Sequence, residues 1–382
     1  MVSCSNGNDE DMGNVSKEES VCVNFSLSSV PDFFTRDVLW DEDGSYLENY
    51  IDIDNNDFWV AFFTKEGDFI TEFEGSEITD KTEDNFSATH SLRIEFTGER
   101  LKALPKNFIN EELKVMIIAN WKAFTGSGSY ESFANMGINK ENPGNVWVNK
   151  EFYNFNYSGN SGESWCPSLS DNSKRLIPMM GYAGFKGFTQ SSITGTLTAN
   201  VSVKMVRALA KVTLSVKENL WKSGFTIKSC TLNKYIPQGN VIPDVTLEGN
   251  DFGENGDIQI ESPSHASNLE FQPGPLSFVN TAEDGENPIL TAYIPEINTS
   301  GFTTLDDDRP YISVMLALNQ EDFKEEKKLE LNDNSPSTTT LFHIIRNHHY
   351  NYVIDDITGD GNISLKYTVC PWGEGEVDID FH

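Results

Sequence analysis

The chain has 382 residues, 38% of them hydrophobic, with 28 basic against 59 acidic side chains and a formal net charge of −31. That length points to two or three domains, and the apolar share fills ordinary cores, which excludes an intrinsically disordered chain. No basic run is present to neutralise phosphates, so nucleic acid is excluded as a partner, and no stretch approaches the roughly 18 apolar residues that cross a bilayer as a helix.

In chain order, Met1-Val2-Ser3-Cys4 reads like the end of a bacterial lipobox, where a small residue precedes an acylated cysteine. The polar, acidic run Ser5 to Asp11 suits a flexible tether. The expectation is an exported surface chain of a Gram-negative bacterium with its lipid on Cys4, its signal peptide already trimmed, and residues 1–20 as the tether. An ordinary start followed by a chance cysteine is the alternative. Val21, Val23, Phe25 and Leu27 alternate with Cys22, Asn24, Ser26 and Ser28, which predicts a strand with one apolar face.

Phe58 to Phe63 and Val115 to Ala119 are short apolar runs that suit buried strands. Stretches 125–145, 154–175 and 236–275 are polar and predict loops. Tyr153, Phe155, Tyr157, Trp165, Tyr182, Phe185 and Phe188 fall in or near loop-like sequence. Such rings either stack on sugars or plug the ends of a core, and the second role is the commoner.

The longest alternation runs from Ile193 to Met205, with Leu197, Ala199, Val201, Val203 and Met205 on one face. At Val206 the phase flips, and Ala208, Ala210, Val212, Leu214 and Val216 share a face opposite Arg207, Lys211, Thr213 and Ser215. A flip inside such a pattern implies a bulge or a change of sheet, which predicts a domain junction near residue 205. Ile312 to Leu318 and Tyr350 to Ile354 alternate again, Asp322 to Leu331 predicts a short charged helix, and Ile363 to Cys370 predicts a strand. Many short strands separated by turn residues predict an all-β fold of two sandwiches.

Chemistry is scarce. Cys22, Cys166, Cys230 and Cys370 match no zinc or redox spacing and read as small apolar residues, a disulfide among them being unassignable. His348 and His349 are adjacent, so on a strand they face opposite ways and cannot easily share an ion. Asp356 to Asn362 resembles a calcium loop only at first glance, because Thr358 and Tyr367 stand where ligands belong. No hydrolase, phosphate-binding or metalloprotease motif occurs. The chain is therefore read as non-enzymatic, with no metal and no cofactor.

Three segments together carry a family resemblance: Ile177 to Gly181, Val206 to Val212, and Arg346 to Tyr350 ahead of Pro371-Trp372. With the lipobox, this order resembles the fimbrillins, the lipoprotein pilins of Bacteroidia that build type V pili. The resemblance implies two transthyretin-like β-sandwich domains in tandem, here 21–205 and 206–382. It also implies residence at the cell outer membrane and in a fimbrium, and a trypsin-like protease that cuts after a basic residue following the first strand. Arg36 occupies that position, while Lys17 precedes the strand, so cutting there would not free it. Val21, Val23, Phe25 and Leu27 would then form the displaced strand, and a strand from another subunit would fill its place by donor-strand exchange. The tail offers a candidate donor, since Val377, Ile379 and Phe381 alternate with Glu376, Asp378 and Asp380. A last edge strand of its own domain is the equal alternative for that tail. The implied partners are other pilin subunits, the membrane through Cys4 and the processing protease. A tip or stand-alone adhesin with a host or glycan receptor is the alternative function.

Overall fold

Period-two alternation becomes strand throughout. The computed structural model describes residues 20–28, 45–78, 80–84, 89–125, 130, 132–133, 154–156, 166–168, 175–190, 195–242, 276–297, 310–319, 321–322, 326–330, 343–357 and 363–371. The first strands are β1 (Val21–Ser28), β2 (Phe58–Thr64), β3 (Phe69–Glu74), β4 (Asp80–Asp84), β5 (Thr89–Phe96), β6 (Glu112–Ala119) and β7 (Asn154–Asn156). Then come β8 (Met179–Lys186), β9 (Thr189–Gln190), β10 (Leu197–Arg207), β11 (Ala210–Val216), β12 (Phe225–Asn233), β13 (Gln238–Asn240) and β14 (Leu276–Ser277). The last are β15 (Val279–Asn280), β16 (Leu290–Ile294), β17 (Tyr311–Leu318), β18 (Glu321–Asp322), β19 (Lys327–Glu330), β20 (His348–Ile357) and β21 (Ile363–Pro371). The described helices are short: α1 (Gly98–Ala103), α2 (Trp121–Thr125) and α3 (Glu218–Lys222), with a 3₁₀ turn at Ser45–Glu48. None is long and apolar enough to cross a membrane.

The strands form an all-β sandwich fold. A nine-stranded sheet runs β3-β2-β6-β8-β10-β1-β5-β4, with β9 attached to β10. Two five-stranded sheets follow, one ordered β15-β16-β11-β20-β21 and one ordered β14-β12-β17-β18 with β19 on β17. The nine-stranded sheet folds over its own apolar core, because Phe25 on β1 meets Phe62 on β2 with ring centroids 6.0 Å apart although three strands, β6, β8 and β10, lie along the path between them. β2 is buried on both faces. Phe58, Val60 and Phe62 join the core that holds β1, whereas Trp59, Ala61 and Phe63 join a second core shared with β11, β17 and β20. Burial on both faces explains why β2 is an unbroken apolar run rather than an alternation.

β10 does two jobs. Its first half pairs with β1 and β9, its last residues pair with β8, and the chain then passes through buried Ala208 and Leu209 into β11, which belongs to another sheet. The phase flip at Val206 marks this change of sheet. Gly181 on β8 permits the close approach, since a Cβ there would meet Met205 Sδ at 2.5 Å and Val203 Cγ1 at 2.6 Å.

Some expectations are corrected. Within the stretch expected to be a helix, Asp322 and residues 327–330 are strand, because β18 and β19 both pair with β17 and cover its otherwise open edge. The stretches 154–175 and 236–275 are not pure loop, since β7 and β13 pair with each other. Cys4, Arg36, Val377, Ile379, Phe381 and residues 358–362 lie outside the described residues.

Candidate functional site

The apolar face of β1 is sealed. Val21, Val23, Phe25 and Leu27 are each no more than 2% exposed. β1 lies inside the sheet, parallel to β10 on one side and antiparallel to β5 on the other. No hairpin joins it to either neighbour: Phe25 pairs with Leu92 and with Val201. Its apolar side chains pack with Leu92, Ile94 and Phe96 of β5 and with Ala199, Val201 and Val203 of β10. Without β1, two strand edges and a strip of that core would face water, an arrangement that captures any extended segment of matching pattern.

The other face of β1 is polar. Asn24 Nδ2 donates to Asn200 Oδ1 at 2.9 Å. Cys22 is fully covered and accepts from Arg93 Nη2 at 3.1 Å. Burial raises its thiol pKa above the ordinary value, with the Arg93 charge working against that rise.

A second cluster lies where β10 hands over to β11, and the three segments behind the family resemblance converge on it. Arg207, 1% exposed, donates from Nε to the Glu48 carbonyl at 2.9 Å, from Nη1 to Asn347 Oδ1 at 2.9 Å, and from Nη2 to Asn49 Oδ1. Asn347 holds a left-handed backbone, φ 57°, and its N–H reaches the Leu209 carbonyl at 2.9 Å. Asparagine tolerates that conformation better than most residues. Ala208 N–H donates to the Pro178 carbonyl at 2.8 Å. Glu48 itself is ion-paired with Lys211 at 2.9 Å and accepts from the Tyr293 hydroxyl.

Charge in this cluster is balanced against burial. Burial opposes ionisation of Glu48, but Lys211, the Tyr293 hydroxyl and Arg207 outweigh it and hold the carboxyl below its usual range. Burial lowers Arg207 to about 10, with Glu48 pulling the other way. His349, 2.8 Å from the Thr213 hydroxyl, is pushed down to about 4 by burial and by Lys211. Immediately before Asn347 in sequence, Arg346 forms with Glu296 a pair that is 1% and 0% exposed, with Nε–Oε1 at 2.9 Å and Nη1 donating to the Val241 carbonyl at 2.7 Å.

Arg207 and Thr213 stand opposite the apolar face of their alternation, and both are nevertheless buried. Alternation gives the side of a strand, not what covers that side. Glu48 carried no sequence signal at all. His348 and His349 do not converge: His348 Nδ1 meets the Arg346 carbonyl at 2.8 Å, and His349 faces Thr213. Among the described residues no group of three metal-ligating side chains comes together. Tyr182 and Phe185 are 2% and 8% exposed, and Phe188 packs on Phe108 with centroids 5.1 Å apart, so these rings serve the core. Tyr153, Tyr157 and Trp165 lie outside the described residues.

No protein-family model matches the chain, and no curated protein matches it in sequence. Among solved structures it is similar to the tip fimbrial protein Mfa3 from Porphyromonas gingivalis, with a TM-score of 0.54 and 12% identity over 92% of this chain and 100% of that one. It is also similar to a fimbrial assembly protein from Parabacteroides distasonis, with a TM-score of 0.45 and 13% identity over 91% of this chain and 99% of that one. The likeness is one of fold.

Proposed function

We propose that the chain is a subunit of a cell-surface fimbria that serves adhesion. In this reading it is exported as a lipoprotein through Cys4 and polymerises by donor-strand exchange once a trypsin-like protease cuts after Arg36. Residues 21–205 and 206–382 act as its two sandwich units. The observation that carries the reading is the position of β1. The first described strand fills the interior of a sheet without a hairpin to either neighbour, and it is held by ladder hydrogen bonds and by four apolar side chains. Each such side chain contributes roughly 1.5–3 kcal/mol on burial, so a vacated groove would bind a replacement strongly.

The tail matches that groove in pattern. Laid along β1 in the same direction, Val377, Ile379 and Phe381 take the places of Val21, Val23 and Phe25.

Limited trypsin treatment tests the reading. A single cut after Arg36, loss of the leader, and heat-labile ladders on a gel are the expected outcome. A chain that is cut, loses β1 and stays monomeric would support the second reading, a tip or stand-alone adhesin. That alternative draws on the fold shared with a tip fimbrial protein. A chain in which β1 remains in place after cutting defeats the exchange mechanism in either form.

A further inference from the structure

The outward face of β4, β5, β1 and β10 forms a trough of about 400 Å³. Its lining follows from the strand register. Arg93, Asn24 and Asn200 stand side by side across β5, β1 and β10, with Asp80 of β4 next to Arg93. Two residues along the strands, Ser91, Ser26 and Ser202 form a second row across the same three strands. All of these alternate with inward-facing Phe25, Leu92 and Val201, so both rows share the outer surface.

We propose that this trough is a binding site for an uncharged saccharide. Asparagine is depleted in strands, yet two sit mid-strand and adjacent. Their mutual hydrogen bond at 2.9 Å uses one donor and one acceptor, leaving Asn24 Oδ1 and the Asn200 amide nitrogen for a ligand. Arg93 and Asp80 at the rim are 3.8 Å apart and 43% and 69% exposed, so donors and acceptors of both signs reach solvent beside the amides. A sugar presents neighbouring hydroxyls, each a donor and an acceptor, and amide, hydroxyl, guanidinium and carboxylate groups complement them. Strands repeat at ~4.8 Å, close to the length of one sugar ring, which favours a short oligosaccharide lying across the strands.

The ligand is uncharged for two reasons. The rim carries one cation and one anion that pair with each other, and a chain of net charge −31 repels polyanions. Among the described residues the one aromatic lining the trough, Phe25, is buried beneath its floor, so recognition rests on hydrogen bonds exchanged with water, and single-site binding is weak. Repetition along a polymer would raise it by avidity.

The middle column of the site, Asn24 and Ser26, belongs to β1. On the strand-exchange reading, on which this step alone rests, departure of β1 removes that column. The tail in its place would put Asp380 at the position of Asn24 and His382 at that of Ser26. The uncut and the assembled subunit would then differ in ligand preference.

The test uses an Arg36→Ala chain, which keeps β1 whether or not exchange occurs, displayed multivalently on a glycan array. Retention of neutral oligosaccharides is expected, with affinity for the best of them falling at least tenfold in an Asn200→Ala/Ser202→Gln double variant whose melting temperature is unchanged. Phe188→Ala, outside the trough, should leave affinity as it was. Retention of no neutral glycan, retention of acidic glycans only, or equal binding by the double variant would overturn the proposal. None of these outcomes bears on whether trypsin-cut wild type forms ladders, so the two readings fail separately.

Discussion

The molecule holds two segments near its N-terminus by opposite means. β1 is held by Val21, Val23, Phe25 and Leu27, an apolar comb in an apolar groove. The turn at Ser45–Glu48 is held by directed bonds, in which Arg207 grips its backbone and Lys211 and Tyr293 grip its carboxylate. Apolar contact is non-directional and roughly proportional to area, so another strand with the same period can substitute for β1. A buried charge cluster tolerates no such replacement, because each group needs its own partner. Arg36 lies between the two segments. A cut there would free the replaceable segment and leave the irreplaceable one attached to the body. On the proposed strand exchange, the contrast separates a removable part from a permanent anchor.

The largest loss is expected from Arg346→Met, in the buried ion pair next in sequence to Asn347, which Arg207 bonds. It strands the Glu296 carboxylate, 0% exposed, in the interior. Breaking such a pair costs about 3–5 kcal/mol, read as a fall in the urea midpoint with unchanged slope. The double variant Arg346→Met/Glu296→Leu should recover more than half of the loss. A single variant with wild-type stability would mean that this side, too, is held by area alone.

On the removable side, Leu27→Ala empties a fully buried place and should cost about 2–5 kcal/mol in the uncut chain. The same deletion should leave polymer stability untouched once β1 has gone. Comparing uncut and assembled protein, each with and without the substitution, isolates the contribution of β1.

The two regions differed in how legible they were. The comb of β1, the buried run of β2 and the phase flip at Val206 could be read from the sequence because period and polarity are local. The partners of β1 could not be read: β5 and β10 lie about 70 and 175 residues away, and parallel pairing leaves no turn signal. Arg207 and Glu48 escaped for a different reason. A buried ion cluster looks like surface until the covering element is known, and its cover is a four-residue turn. The resemblance segments pointed to the right place without revealing why, since their shared work is bonding to one another.

A smaller effect, about 1–3 kcal/mol, concerns pH. His349 is held down at about 4 against an ordinary 6.5. Between those values the unfolded chain binds a proton that the folded chain refuses, so the stability contributed by neutral His349 is full above pH 6.5 and lost as pH falls towards 4. Glu48, also depressed, adds its own loss at lower pH as it protonates. The groups facing His349 are Thr213, Lys211 and Glu48. His349→Asn should flatten the stability profile between pH 6.5 and 4 and leave the groove of β1 indifferent.

The least costly experiment sharpens the comparison most, because β1 and the second core behind the charge cluster each carry a buried thiol. Cys22 lies on β1 and Cys230 on β12, both at most 3% exposed. In a background with Cys4, Cys166 and Cys370 changed to Ser, the two labelling rates report separate openings. Leu27→Ala should accelerate Cys22 by more than it accelerates Cys230, and Arg346→Met should do the reverse. The difference follows from where each substitution acts: Leu27 shares strand β1 with Cys22, whereas Arg346 bonds the Val241 carbonyl within the core that holds Cys230. Equal acceleration of both thiols by either change would make the chain one cooperative unit, in which β1 could not leave without unfolding the rest. Unequal acceleration leaves the body folded while its first strand opens, the state from which a strand can be exchanged.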